Sequence, residues 1–417
     1  MRSKSVLWAA VLAFAVAVPS SAQPELVGGE LKVNTNNVAR QIQPVVAFQP
    51  SGDALFLWTN DRYGLLARAW SRDGSPAGPE QKLVPNSIVP TIPFSGEILY
   101  RKDPAAVWLP SGELFVAWTE QRDHMILDHF FEDHKILDQD VYGQRFDASG
   151  QPIGAPVRLN TTTEGYQARP KIALRGGTIL VVWESGSTFR SQDALYGQLL
   201  TRKGRAIGSE LRIDAGAGDL WNSAVAGTPS GQFLTVWEGT DSDGPGVLAR
   251  LYDASGEPAG APFVVNKTTA GRQRRPSVVA TRDGGFLVAW QGYQNDGTAH
   301  GIYGQYLNAA GVAVGSEFLV SKGVGQVQIA PALALLPSGN AILTWMEWQD
   351  NLPLGVYSAE VDRAGHVVGQ EMKISTDRVY PQYRTTVATD LQGHVLTAWE
   401  SRIGDSRSIA ARRLTAD

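Results

Sequence analysis

Three of the chain's six histidines fall in one stretch, Asp123-His-Met-Ile-Leu-Asp-His-Phe-Phe-Glu-Asp-His134, each directly after an aspartate. A neutral imidazole beside a carboxylate suits transition-metal ligation or proton transfer near neutral pH. The spacing does not supply a ready-made zinc motif. Residues five apart are rotated by roughly 140° on a helix and point to opposite sides of a strand, so His124, His129 and His134 share no face in either. Helical spacing offers instead the pairs His124/Asp128, His129/Asp133 and His134/Asp138, four apart. Ile126, Leu127, Phe130 and Phe131 would take the other side. The stretch is therefore expected to be a solvated cap helix or loop, with a metal ion or a histidine acid/base as alternatives. No cofactor is expected.

A second set of residues suits a ligand better: Tyr166 and Arg169, the lone Trp221, Arg275 at the end of Arg272-Gln-Arg-Arg275, and Tyr383 and Arg384 within Tyr380-Pro-Gln-Tyr-Arg384. Aromatic rings and arginines around a concave mouth hold a sugar chain or an acidic group, by stacking and by bidentate hydrogen bonds. Solvated loop chemistry is the plain alternative. Asp241-Ser-Asp-Gly244 and Asn295-Asp-Gly297 look like fragments of calcium loops, yet each is too short to complete a coordination shell and reads as an Asp-Gly turn. No Gly-x-Ser-x-Gly, His-Glu-x-x-His or phosphate-cradling glycine loop occurs.

What must position these residues is a repeat. Ala54-Leu-Phe-Leu-Trp58 returns as Leu114-Phe-Val-Ala-Trp118, Ile179-Leu-Val-Val-Trp183, Phe233-Leu-Thr-Val-Trp237, Phe286-Leu-Val-Ala-Trp290, Ala341-Ile-Leu-Thr-Trp345 and Val395-Leu-Thr-Ala-Trp399. A glycine stands six residues before each tryptophan, and an apolar run, usually opened by proline, precedes that glycine. This is strand, tight turn, strand. A polar loop, a third segment such as Tyr303-Gly-Gln-Tyr-Leu307, a turn with glycines four apart and a fourth alternating segment complete each unit.

Short strands at even spacing with one marker aromatic per unit predict an all-β fold, a seven-bladed β-propeller of four-stranded antiparallel blades. The last copy stops after its third strand, while Gly28-Gly-Glu-Leu-Lys-Val-Asn34 matches the fourth-strand phrase Gly208-Ser-Glu-Leu-Arg-Ile-Asp214. The N-terminal strand is thus expected to complete the C-terminal blade and close the ring, which removes two sheet edges.

The phrase from Gly284 to Val320 resembles the tandem tryptophan-bearing units of many exported bacterial proteins. That resemblance covers essentially the mature chain and implies a propeller. It carries no catalytic motif: neither sialidase boxes nor Trp-Asp dipeptides are present.

Groups present in most blades are read as structural. The marker tryptophans are expected between blades, and the carboxylates just after them (Glu120, Glu184, Glu238, Glu347, Glu400) are expected to bond backbone. The recurring Gln41, Gln167, Gln273, Gln328 and Gln382 are expected to fix loops. Two insertions break the pattern: the Asp-His stretch between strands two and three of the second blade, and residues 85–103 entering that blade. Meander topology puts both on one face, where they are expected to pack on each other as a cap beside the funnel.

The N-terminus reads as a signal peptide, residues 1–22, with Arg2 and Lys4 before an apolar run from Val6 to Val18. Residues 23–417 would form the single propeller domain, exported by a bacterial cell and either secreted or periplasmic. The absence of cysteine excludes disulfides and thiolate chemistry. Of 37 basic residues two lie in the signal peptide, leaving 35 against 41 acidic ones with no basic block. That balance argues against a nucleic-acid partner, and no span long enough for membrane insertion follows the signal. The leading expectation is a monomeric, non-catalytic binding propeller holding a polysaccharide or protein partner at the funnel. The alternatives are a propeller glycoside hydrolase or polysaccharide lyase using the Asp-His cap, and a ligand-free scaffold.

Overall fold

The computed structural model describes residues 24–415 apart from 93–94, 129–130, 189–190, 217–219, 294–299, 322–325, 351, 377–383 and 404–405, and describes only the backbone across the rest of 88–96, 124–137 and 402–406. The expected signal peptide, His129 and Tyr383 lie outside the described residues.

The alternating segments form strands, and the strands form small antiparallel sheets in a β-propeller arrangement. The first separate sheet joins Gln41–Phe48, Ala54–Asn60, Gly64–Trp70 and Gln81–Pro85 in chain order. Three more repeat that meander, beginning at Trp221–Gly227, Arg272–Ala280 and Val327–Leu335. The fifth contains Thr385–Thr389, His394–Ile403 and Ser406–Thr415, and its fourth strand is the N-terminal Glu25–Lys32, with Glu25 opposite Thr415 and Lys32 opposite Ala410.

Five four-stranded blades therefore stand as separate sheets, not the seven expected. The remaining strands form one nine-stranded sheet. It contains two four-strand meanders, one from Ser95–Trp108 to Pro152–Arg158 and one from Tyr166–Arg175 to Ala206–Arg212. They are joined by a single parallel bridge, Tyr166 opposite Gln139. The merger has a local cause. The insertions lengthen the second and third strands of the first meander, to Leu114–Asp128 and Phe131–Phe146, and bring the latter against Tyr166.

The Asp-His stretch is accordingly not a helix or an irregular loop. It is a β-hairpin in which Met125 faces His134 and Asp128 faces Phe131 across the ladder. The second insertion pairs alongside it: Gly96 is opposite Met125 and Glu97 opposite His124, while Ile88 is opposite Ile98. The two insertions meet through main-chain hydrogen bonds in one extended sheet, the preferred solution when long apolar-rich segments run side by side. Side-chain packing within this cap lies outside the described residues.

Blades stack through the marker tryptophans. Trp58, Trp118, Trp183, Trp237, Trp290, Trp345 and Trp399 are all at most 1% exposed, each in a different apolar cluster. Each cluster draws on two neighbouring meanders. Trp237, for example, packs with Leu180, Val182 and Leu195 of the preceding one. Two of the indole nitrogens are tied to the recurring glutamines: Trp58 Nε1 donates to Gln41 Oε1 at 2.8 Å and Trp183 Nε1 to Gln167 Oε1 at 3.1 Å. The glutamine amides then donate to loop carbonyls, Gln41 to Val38 and Gln167 to Glu164.

Candidate functional site

In six of the seven meanders the first strand carries a β-bulge, in four of them two residues after the recurring glutamine. At Gln43, Asp103, Arg169, Asn222, Arg275 and Ala330 the ladder skips and φ turns positive, between +51° and +57°. Non-glycine residues adopt that region at some strain. A proline follows in five of the six, which holds the next residue extended and denies the ladder a donor.

The strained N–H groups are captured by the preceding meander. Gln43 N donates to Glu400 Oε1 at 2.8 Å, Arg169 N to Thr119 Oγ1 at 2.9 Å and Arg275 N to Glu238 Oε2 at 3.4 Å. Beside the Asn222 bulge, Ser223 N donates to Glu184 Oε1 at 3.2 Å. Three of the five repeated carboxylates, Glu184, Glu238 and Glu400, thus bond backbone, whereas Glu120 pairs with Arg101 and Glu347 accepts from Gln328 Nε2.

The bulge holds the backbone fixed while its side chain differs from copy to copy. Gln43, Asp103 and Arg169 together line a cavity of about 280 Å³, with Arg384 at the matching position of the last sheet. Arg40, Asp61, Lys102, Tyr166, Glu184 and Gln192 complete most of its wall. Gln43 and Asp103 clasp one another: Asp103 N donates to Gln43 Oε1 at 2.9 Å and Gln43 Nε2 donates back to the Asp103 carboxylate.

Charge in this cavity is unevenly compensated. Arg169 Nη1 donates to the buried Glu184 carboxylate at 2.9 Å, and Arg40 pairs with Asp61. Arg384 has no ion-pair partner among the described residues. Burial holds the Lys171 ammonium below the usual lysine range, Arg384 and Arg169 push the same way, and Glu184 and Asp103 oppose. Lys102 is lowered by burial too, with Asp103 and Asp123 opposing and Arg169 reinforcing. Arg275 is lowered by desolvation, against Glu238, with Arg384 adding repulsion. Arg384 thus acts on Lys171, Arg275 and Glu400, groups from three different sheets.

Of the residues picked from sequence, Tyr166, Arg169 and Arg384 come together at this cavity. Arg275 stands apart from its wall but within electrostatic reach of Arg384. Trp221 is 36% exposed, opens the next sheet opposite Glu238 and does not line the cavity. His124 and His134 sit on the hairpin, where only the backbone is described. Among the described residues no three His, Asp or Glu side chains converge as a metal site would require, a finding that does not reach the Asp-His side chains. Asp241 is an ordinary turn residue, its Oδ1 accepting from Asp243 N at 2.8 Å.

Lys102, Asp103, Gln43 and Arg40, all on the cavity wall, were missed in the sequence. The legible signal for Gln43 and Asp103 was the residue at the bulge position, followed by proline in five copies, where every copy but Ala330 carries a polar or charged residue.

No protein-family description matches this chain, and no curated protein matches it. Solved structures share its fold. A protein of unknown function from Dyadobacter fermentans DSM 18053 is 14% identical, with a TM-score of 0.56 over 96% of this chain and 100% of that one. A polysaccharide lyase described as a PL25 ulvan lyase is 11% identical, with a TM-score of 0.56 over 94% of this chain and 96% of its own. The same kind of lyase bound to -[GlcA(1-4)Rha3S]- gives 0.55 at 11% identity. At these identities the likeness is one of fold: the chain is an all-β protein with a β-propeller arrangement, similar in architecture to a polysaccharide lyase.

Proposed function

We propose that this chain is a carbohydrate-active propeller that takes an acidic polysaccharide into the Arg169–Arg384 cavity and cleaves it by β-elimination. The observation that carries this reading is the convergence of Arg169, Lys102 and Arg384 beside Tyr166 on one cavity wall, with Arg384 in no ion pair among the described residues. Arg384 is exposed and already opposes the charge of Glu400, and a uronate carboxylate would supply a further counter-charge. Removal of the proton on the carbon next to that carboxylate puts a second negative charge on it, and fixed cations stabilise that charge where it develops. A base accepts the proton, the carbon–carbon double bond forms, the glycosidic carbon–oxygen bond breaks, and the leaving oxygen takes up a proton. Tyr166 and Lys102 are the proton-transfer candidates at the cavity wall. Burial raises the neutral-amine fraction of Lys102 at a given pH, as a general base needs.

The architecture of the solved ulvan lyase supports the enzyme reading over the non-catalytic one, and the cavity chemistry favours elimination over hydrolysis. A glycosidase needs two carboxyl groups facing across the sugar, whereas the three on this wall are engaged: Glu184 with Arg169, Asp61 with Arg40 and Asp103 with Gln43.

The reading includes a closed ring of seven blades, counting the nine-stranded sheet as two. Its support is that first strands touch in cyclic order, the last one, Thr385–Thr389, reaching back to Gln41–Phe48. A recurring clamp agrees. Glu80, Glu210 and Glu317 accept the N–H of Thr35, Thr161 and Lys267 at 2.6–2.8 Å, and Glu30 of the N-terminal strand does the same for Thr376. Residues 1–22 would direct export, so the substrate would be met outside the cytoplasm.

The test is incubation of purified protein with uronate-containing polysaccharides, following the ultraviolet absorbance of the conjugated unsaturated uronate. Absorbance should rise, and Arg384→Ala should cut kcat/KM by about 10²-fold or more. New reducing ends without absorbance would mean hydrolysis. Binding with neither signal would return the protein to the non-catalytic class.

A further inference from the structure

We infer that Lys171, Arg275 and Arg384, which three different sheets bring into one electrostatic group, hold a divalent oxyanion of the phosphate or sulfate type. The inference goes beyond the polysaccharide reading, with which it shares only Arg384.

One register position singles the site out. In all seven meanders the ladder sets one first-strand residue opposite the residue just before the marker tryptophan. In six of them it is uncharged and no larger than valine: Val45, Ala105, Ala224, Ser277, Ala332 and Thr386. In the seventh it is Lys171, opposite Val182. A lysine here serves no packing need that the repeat shares. Its ammonium forms no hydrogen bond or ion pair among the described residues.

Two residues upstream stands the bulge position, which is arginine in three copies, Arg169, Arg275 and Arg384. Arg384 leads into Thr385–Thr389. In the order in which first strands touch, Gln41–Phe48 and Ser95–Trp108 separate that strand from Tyr166–Arg175, yet Arg384 acts on the Lys171 ammonium. It also acts on Arg275 from beyond Val327–Leu335. The three charges therefore meet across a space between sheets, not along one strand. Arg275 and Arg384 are exposed and Lys171 is half-buried, while desolvation lowers both Lys171 and Arg275. Groups crowded by protein yet reached by water describe a concave site open to a small solute.

The charges do not balance within the protein. Glu184, Asp103, Glu238 and Glu400 are the carboxylates that act on Lys171, Arg275 or Arg384. Three of them already meet another arginine: Glu184 meets Arg169 at 2.9 Å, Glu238 meets Arg274 at 3.2 Å and Glu400 meets Arg407 at 3.7 Å. Three cations are left against Asp103, which Gln43 also engages. A monovalent carboxylate leaves this group positive. A divalent oxyanion neutralises it and offers several oxygens to one ammonium and two guanidinium groups. Because the cations belong to three sheets, the bound ion ties those sheets together and adds to folding stability by mass action.

The test is calorimetric titration of the purified protein with sodium sulfate and with inorganic phosphate above about pH 7, where phosphate is largely divalent. Chloride holds the ionic strength constant, and thermal melting is followed in the same solutions. One ion per chain should bind saturably, and Lys171→Ala and Arg275→Ala should each weaken binding about tenfold or more. Alanine already stands at the Lys171 register as Ala105, Ala224 and Ala332, so that variant should fold. In chloride alone Lys171→Ala should melt no earlier than the wild type, because it removes like-charge repulsion; in phosphate the wild type should gain the advantage. Glycerol phosphate decides the source. Binding tighter than that of inorganic phosphate assigns the site to a phosphate monoester, and weaker binding to the free ion. The proposal is overturned by absence of saturable binding, by undiminished binding in both variants, by acetate binding as tightly as sulfate, or by an earlier melt of Lys171→Ala in chloride. None of these results touches the uronate cavity, which the elimination assay reads separately.

Discussion

Individual side chains divide into those that repeat and those that do not, and the division separates stability from chemistry. Trp237 is fully buried between two meanders, so Trp237→Ala should remove about 3–5 kcal/mol from the unfolding free energy in denaturant. Glu400 tests the other repeated group. Its Oε1 holds the strained Gln43 N–H, so Glu400→Ala should cost about 1–3 kcal/mol for the stranded donor. Glu400→Gln keeps an acceptor and removes the charge. Burial raises the Glu400 carboxyl above its usual value of 4.5, with the Gln43 N–H and Arg384 opposing. A raised folded-state value means that the contribution is fully present below about pH 4.5 and is lost as pH rises through the folded value. Over that window the wild type should lose more thermal stability from this group than Glu400→Gln; identical pH profiles of the thermal midpoint would dismiss the burial argument. The tryptophan and carboxylate roles were legible because repetition exposes a folding requirement. The cation cluster was only half legible: Arg169, Tyr166 and Arg384 were visible as departures from the repeat. Lys102 was not, because it looks like an ordinary strand residue until the Asp103 bulge and the neighbouring sheets bring it to the cavity.

Among the elements, the blade-two extension is where sequence pattern and structure part. The apolar doublets Ile126-Leu127 and Phe130-Phe131 alternate poorly, and their spacing matches a helical stripe as well as a strand. The competing factor is non-local. Ser95–Trp108 runs beside Leu114–Asp128, and its unpaired main chain favours ladder hydrogen bonds over a helix that would leave that edge bare. Because the hairpin projects beyond the Trp118 cluster, it should be dispensable for folding. Deleting Met125–His134 and joining His124 to Lys135, a paired position, through Asn-Gly makes a two-residue hairpin turn. The variant should keep its far-ultraviolet spectrum and a midpoint within a few degrees of the parent, consistent with a change of about 1 kcal/mol or less. If the histidines hold a metal or move a proton, activity on polysaccharide falls while folding persists. Unchanged activity would confine the chemistry to the cavity wall.

At the scale of the whole molecule, the repeat was readable because every blade solves the same packing problem, and the partition into sheets was not, because one bridge between Tyr166 and Gln139 merges two of them. The N-terminal strand bears on how the arrangement holds together. Glu25–Lys32 covers the outer edge of Ser406–Thr415, and Asn34 Oδ1 accepts from Ile409 N at 2.8 Å in a buried position. Residues from the two ends of the chain thus complete one blade. A chain beginning at Val33 should expose that edge as a row of unpaired N–H and C=O groups, a template for pairing with other copies. It would also lose the Glu30 clamp on Thr376. The truncated protein is expected to melt earlier and to scatter light in a concentration-dependent way. A synthetic peptide spanning residues 24–34 should reverse both, because it restores the ladder without restoring the covalent link. Rescue by the peptide would place the effect in the sheet edge and not in chain length. A truncated chain that stays monomeric with an unchanged midpoint would remove the N-terminal strand from any closing role.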